Sequence, residues 1–447
     1  MDENTGGLSG LFAPERVAVI GATESDGSIG RAITENLQAD FAGETVPVNP
    51  NYDDVLGLDC YPDVDSVPGE LNLAIIVVPP HIAVDAVRQC GEADVRNVVV
   101  ITAGFGETGS EGASREQELT EVAEEYGLNL VGPNSLGVMS TPTGLNATFG
   151  PENALSGSIS FMSQSGAFIT AVLDWANDEG IGFKDVVSLG NKAVLDETDF
   201  VDAWGDDPDT DVILGYLEGV EHGGEFIDAA RETTDDTPIV MVKSGRTEAG
   251  AQAVSSHTGT LAGSEQAYEA GLEQAGVLRV ENVQELFDFA QILSGQPLPE
   301  SDDVAIVTNA GGPGVMTTDA VGDSNLSLAS FTDETLAELS EAMPEEANIY
   351  NPIDAIGDAD IERFEEALDI ALSDENVGCA VVLSAPTAVL DYGRLAEAVT
   401  DLQAEHGKPV AAVLMGGERT RSAKETLSEG GIPNYFDPAR AVRSLDA

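Results

Sequence analysis

The sequence predicts an α/β protein of three domains, each built on a largely parallel sheet. Three observations carry that prediction. Short β-rich runs alternate with helical patterns along most of the chain, the runs are nearly continuously apolar, and the alternation restarts twice after polar stretches. Continuous apolar runs are what strands covered on both faces need, and strand–helix alternation is the signature of a parallel sheet. The length agrees: 447 residues, at about 100 to 200 per domain, make about three domains.

A first domain is expected over 1–140, with strands at 17–20, 45–48, 73–78, 98–102 and 129–131. Each run ends in Gly, Pro, Asn or Thr, and ligands of such sheets bind at those carboxyl ends. After the polar stretch 141–157, a second domain over 150–295 is expected to hold strands at 158–162, 186–189, 212–217 and 239–243. It closes with helices near 264–275 and 283–294. The proline- and acid-bearing stretch 295–303 reads as a linker. A third domain over 302–447 repeats the second domain's architecture, with strands at 304–308, 327–330, 379–384 and 409–415.

Asp and Glu number 80 against 19 Lys and Arg, a formal charge of −61 spread over the whole chain. At molar salt the Debye length is about 3 Å and such self-repulsion is screened, so the composition fits a salt-loving, halophile-like cytoplasm. No basic stripe exists to meet nucleic acid or anionic lipid, and both are excluded as partners. Cys60, Cys90 and Cys379 have no metal-like spacing and are odd in number, so neither a metal site nor a disulfide framework is expected. The first ten residues lack the pattern of a signal peptide and no run of 18 apolar residues occurs, which makes the expected location cytoplasmic.

The first strand runs into a loop of small residues, from Gly21, Ala22, Thr23 and Ser25 to Gly30, that opens a helix. Glycine admits close backbone approach, and free N–H groups at a helix start favour an anion. The spacing departs from G-x-G-x-x-G, and Asn49-Pro50 stands where a dinucleotide fold carries its acid, so NAD is disfavoured. Val78-Pro79, Thr102-Ala103-Gly104 and Gly132-Pro133-Asn134 end further strands and rim the same crevice. In the second domain Ser163-Gln164-Ser165-Gly166 forms a Ser/Gly turn before a helix and suits a phosphate. It lacks the leading glycine of a serine nucleophile elbow. Two of only five lysines, Lys192 and Lys243, stand in glycine-bearing loops after strands, as anion binders would.

Of the four histidines, His81, His222 and His406 read as helix-start, turn and surface-helix residues. His257, in Ser255-Ser256-His257-Thr258-Gly259, stands in a loop after the strand ending at Lys243. An unprotonated imidazole can attack an acyl phosphate when its second nitrogen is held by a hydrogen bond. Glu218, at the end of another parallel strand, is placed to fix that tautomer and to stabilise the charge that develops on the ring.

Taken in order, the Gly21 loop, Gly132-Pro133-Asn134, Ser163-Gln164-Ser165-Gly166, Ser188-Leu189-Gly190-Asn191-Lys192 and Ser256-His257-Thr258-Gly259 amount to a resemblance. Over nearly its whole length the chain resembles the α subunit of NDP-forming acyl-CoA synthetases, typified by ADP-forming acetate–CoA ligase, in the succinyl-CoA synthetase superfamily. The resemblance implies a Rossmann-like CoA-binding domain followed by two flavodoxin-like domains of the succinyl-CoA synthetase type. It implies CoA at Gly21, Ala22, Thr23, Ser25, Gly30, Asn49, Pro50, Val78, Pro79, Thr102, Ala103, Gly104 and Asn134. Phosphate falls to Ser163, Gln164, Ser165, Gly166, Gly190, Asn191 and Lys192, with His257 as phosphocarrier and Glu218 as its partner. Ser135 departs from the cysteine the family often carries there, a minor change because the reacting thiol belongs to CoA.

No ATP-grasp region is visible, so the resemblance implies that ADP or ATP with Mg²⁺ sits on an ATP-grasp β subunit, in an α2β2 assembly, or on a further domain of a longer natural chain. The small carboxylic acid is acetate by family default. Two other readings compete: a noncatalytic CoA-sensing module, which a retained His257 argues against, and a succinate–CoA ligase α subunit, which the third domain argues against.

Overall fold

A computed structural model describes residues 7–247, 249–250, 252 and 265–447. His257 and the rest of its motif lie outside the described residues. The chain divides into two compact units, Met1–Glu281 and Asn282–Ala447.

The first unit holds two sheets. The first sheet has five parallel strands in the order Glu44–Val48, Arg16–Ile20, Leu73–Ile76, Asn97–Val100, Asn129–Val131. Its strands alternate strictly between two layers, as the two-residue period of a strand requires. Val17, Val19, Leu73, Ile75 and Val99 pack with Ile33 and Leu37 of the helix Ile29–Asp40. Ala18, Ile20, Ala74, Ile76 and Val98 pack with Val84, Val87, Leu119 and Val122 of the helices Pro80–Glu92 and Ser110–Tyr126.

The second sheet has seven strands: Leu278–Val280, Ile239–Lys243, Val212–Leu217, Leu155–Ser163, Gly182–Ser188, Gly137–Ser140, Leu145–Thr148. The first five run parallel, and the last two form a hairpin laid antiparallel against Gly182–Ser188. That hairpin lies in and beside the stretch read as a polar boundary. Its polar residues are nonetheless buried: Asn146 accepts from the Thr148 hydroxyl at 2.7 Å, and Thr148 accepts from the Gly150 N–H at 3.1 Å. One core runs from Ile33 beside the first sheet to Phe200 and Trp204 beside the second, whose rings meet at 5.4 Å between centroids. Burying each large apolar side chain there contributes about 1.5 to 3 kcal/mol.

The second unit carries a parallel sheet in the order Ser327–Leu328, Asp303–Thr308, Cys379–Ser384, Val410–Leu414. The short strand Ile353–Asp354 pairs with Thr308 and Val307 on the same edge as Ser327–Leu328. Asn351 fills the gap between those two edge pieces. Its carbonyl accepts from Ile306 N–H at 3.0 Å, and its amide donates to the carbonyls of Val304 and Ala329 at 2.8 and 3.1 Å. Asn309 ties two strand ends by exchanging hydrogen bonds with both backbone groups of Ala385. The helix Val283–Gly295 belongs to this unit, where its buried Asp288 takes a two-pronged ion pair from Arg440.

Among the described residues no helix is long and apolar enough to cross a membrane, and no group of three or more His, Cys, Asp or Glu is placed to hold a metal ion.

Candidate functional site

The crevice over the first sheet is a cradle of backbone and small residues. Gly21 adopts φ +103° and lies so close to the Val77 backbone that a Cβ would sit 3.0 Å from it. At Gly30, buried at the start of the helix Ile29–Asp40, a Cβ would come within 2.3 Å of the Gly21 carbonyl oxygen. The loop from Gly21 to Gly30 thus folds back onto its own helix start, and Ser28 caps that helix by accepting from Arg31 N–H. Asn49 donates to the Ala22 carbonyl at 2.8 Å, and the Thr23 hydroxyl lies 2.9 Å from that of Tyr52. Thr102 donates to the Val78 carbonyl at 2.7 Å, and Asn134 N–H donates to the Thr102 carbonyl at 3.0 Å. The strand ends expected to rim one crevice are therefore joined side by side through hydrogen bonds. Ser25, Pro50, Pro79, Ala103 and Asn134 stand exposed along its lip.

Asn134 carries the crevice to the second sheet. It adopts φ +59°, and its amide donates to the Asn191 carbonyl oxygen at 3.2 Å. The Asn191 amide reaches Glu107 at 2.7 Å and Glu116 at 2.6 Å, while Gly190 packs so tightly on the Pro133 carbonyl that a Cβ would lie 2.2 Å from it. Burial opposes ionisation of Glu107, but hydrogen bonds from Asn191, Gly104 and Phe105 outweigh it and hold the carboxyl below its ordinary value. Ser135 is buried, donating to the Ser188 carbonyl at 2.6 Å and accepting from Gly137 N–H. A serine there is a structural clasp.

Ser163-Gln164-Ser165-Gly166 forms the expected turn into the helix Gly166–Glu179. Ser165 caps it by accepting from Phe168 N–H, and the buried Ser163 hydroxyl both donates to the Ser165 carbonyl and accepts from its N–H. The Gln164 side-chain carbonyl accepts from the N–H groups of Glu218 and Gly219, the second at 2.9 Å. Glu218 is buried at the end of the strand Val212–Leu217. The structure thus brings together the turn at Gln164 and the turn at Glu218.

Lys192, φ +59°, sends its ammonium inward to the fully buried Glu197 carboxylate at 3.0 Å and the Gly219 carbonyl at 2.9 Å. Burial raises the Glu197 carboxyl, against the pull of Lys192. Lys243 is also buried, with its ammonium 4.6 Å from the centre of the Tyr268 ring, and burial lowers its pKa. His222 lies 3.1 Å from Asp196, whose carboxylate raises the imidazole. His81 stands in the first turn of Pro80–Glu92, and His406 pairs with Asp369 at 2.7 Å. Sequence reasoning did not single out Glu107, Glu116, Glu197 or Tyr268. Only Glu107, inside a glycine-rich turn, carried any local signal.

Three family models match in order: a CoA binding domain over 15–141, a succinyl-CoA ligase like flavodoxin domain over 156–293, and a ligase-CoA domain over 304–444. The chain is 48% identical to the ADP-forming acetate–CoA ligase I of Archaeoglobus fulgidus over 97% of its own length and 62% of that relative. It therefore spans less than two thirds of that protein. It is 42% identical to subunit alpha of the ADP-forming acetate–CoA ligase I of Pyrococcus furiosus, over 98% of this chain and 96% of that one. Among solved structures, the dinucleotide-forming acetyl-coenzyme A synthetase 1 of Ca. Korarchaeum cryptofilum, in complex with phosphate and ADP, superimposes with a TM-score of 0.93. Sequence identity there is 39%, covering 98% of this chain and 95% of that one.

Proposed function

The chain belongs to the family of ADP-forming acetate–CoA ligases, and from that premise we propose that it is the CoA-binding, phosphohistidine-carrying α subunit of an acyl-CoA synthetase that makes ATP. In this reading acyl-CoA and phosphate give an acyl phosphate and free CoA. The phosphoryl group then passes to His257, releasing the carboxylate, and from phosphohistidine to ADP. Each transfer exchanges one high-energy phosphoryl bond for another, which leaves the protein chiefly to position groups and balance charge.

The observation that carries the reading is a continuous run of contacts, from the glycine cradle through Asn134 and Asn191 to the Lys192 loop and the Glu218 turn. The cradle suits a nucleotide's phosphates, because Gly21 and Gly30 let the loop pack directly onto backbone and onto its own helix start, where free N–H groups favour an anion. The capped helix start at Ser165 and Gly166 suits phosphate through its backbone N–H groups. In this reading Glu218 accepts a hydrogen bond from the second ring nitrogen of His257 and stabilises the positive charge that develops on the ring.

The nucleotide and its Mg²⁺ belong, in this proposal, to an ATP-grasp β subunit in an α2β2 assembly, and two relatives that bear the name subunit alpha support a separate partner. Acetate is the proposed acid, the proposed domains are 1–140, 150–295 and 302–447 with the helix Val283–Gly295 packing within the second unit, and the charge of −61 points to a salt-rich cytoplasm. The test is ATP formation at molar salt from acetyl-CoA, phosphate and ADP, with the chain and an ATP-grasp partner combined. ATP that appears only with both chains supports the reading. CoA binding without turnover in the complete assembly would replace it with a CoA-sensing role, and turnover of succinyl-CoA alone would replace it with a succinate ligase.

A further inference from the structure

The turn that carries Glu218 has no regular secondary structure of its own, yet three side chains from three separate elements hold its backbone. Gln164, in the turn after Leu155–Ser163, accepts from Glu218 N–H and Gly219 N–H through one oxygen. Lys192, in the loop after Gly182–Ser188, donates to the Gly219 carbonyl at 2.9 Å. Tyr268, in the helix Glu265–Gln274, accepts from Val220 N–H through its hydroxyl at 3.1 Å.

Two of these residues look from sequence like phosphate ligands, and their surroundings argue otherwise. Both backbone N–H groups require the acceptor end of the Gln164 amide, so the side chain is committed to the Glu218 turn and only its NH2 end is left to donate elsewhere. The Lys192 side chain is 5% exposed, and its partner Glu197 is fully buried. Its charge is already neutralised, and a phosphate would have to displace a carboxylate that has no water to retreat into.

We propose that Gln164 and Lys192 are positioning residues for Glu218: they fix the peptide units 218–219 so that the carboxylate meets its partner in one orientation, and they do not bind phosphate. This rests on the proposed function, in which Glu218 acts on the phosphoryl-carrying imidazole. A displacement of about 1 Å in such a group costs about 100-fold in rate.

The experiment measures the rate at which labelled phosphate, with acetyl-CoA, labels the assembled enzyme at molar salt, as a function of phosphate concentration. Lys192→Met alone would strand the Glu197 carboxylate, so the variant is Lys192→Met combined with Glu197→Gln. Gln164→Met is a second and independent one. The expected result is a maximal rate lower by about 100-fold at an unchanged half-saturating phosphate concentration, with Lys192→Arg restoring most of it. In a Glu218→Gln background the same changes should cost nothing further, because residues that act through one group do not add. A half-saturating phosphate concentration raised about tenfold at full maximal rate would overturn the inference, as would losses that multiply with that of Glu218→Gln. Wild-type labelling in Glu218→Gln would instead overturn the role of Glu218 itself.

Discussion

The two halves of the candidate site are built on different principles. In the crevice over the first sheet, backbone groups, glycines and short polar side chains shape a space, and Gly21 and Gly30 matter for what they lack. At the Glu218 turn, side chains impose a shape, and Gln164, Lys192 and Tyr268 converge from separate stretches on the backbone of one turn, with Lys192 held by a buried ion pair. A cradle suits a ligand that binds and leaves. An over-determined turn suits a group that must stay in one place while charge moves past it.

That contrast predicts separable defects. The largest should follow Glu218→Gln, which is expected to slow phosphate labelling by on the order of 10² to 10⁴ while CoA affinity, read by calorimetry, stays at the wild-type value. An equal loss of CoA affinity would break the distinction between the two regions. Gly30→Ala tests the other half. Its methyl group would meet the Gly21 carbonyl, so CoA affinity should fall about tenfold and stability by about 1 to 3 kcal/mol. Labelling at saturating acetyl-CoA should keep its wild-type rate, and a labelling defect that persists there would show that the cradle also positions the chemistry.

How much of this was legible in sequence follows the same line. The five strands of the first sheet and its glycine loop are local signals, because a strand buried on both faces must be apolar and a tight loop must be small. The hairpin Gly137–Ser140 with Leu145–Thr148 was not legible. Its strands are four residues long and include Asn146 and Thr148, whose polarity is satisfied only by contacts the fold creates. Glu197 is one of 80 acids and becomes distinct only once it is buried against Lys192. The work of Asn351, which bridges two edge strands, is likewise visible only when the strands are in place.

An effect confined to stability concerns Asp185, in the strand Gly182–Ser188 that leads to the Lys192 loop. Burial pushes its carboxyl up to about 6. The folded state therefore favours the protonated form, a preference fully present below the ordinary carboxyl value and lost as pH rises through about 6. Asp185→Asn should stabilise the chain at pH 8 by about 3 kcal/mol, with no gain near pH 4, as read by denaturant unfolding. An equal gain at both pH values would rule out the buried charge as its source.

The central claim is that this chain carries a phosphoryl group on His257. The direct measurement is to incubate the assembled enzyme with acetyl-CoA and labelled phosphate at molar salt, then locate the label by acid and base treatment and by peptide mapping. The account predicts an acid-labile, base-stable label on the peptide that contains His257, absent from His257→Ala. A wild-type assembly that binds CoA and stays unlabelled, or a label that survives His257→Ala, would contradict it.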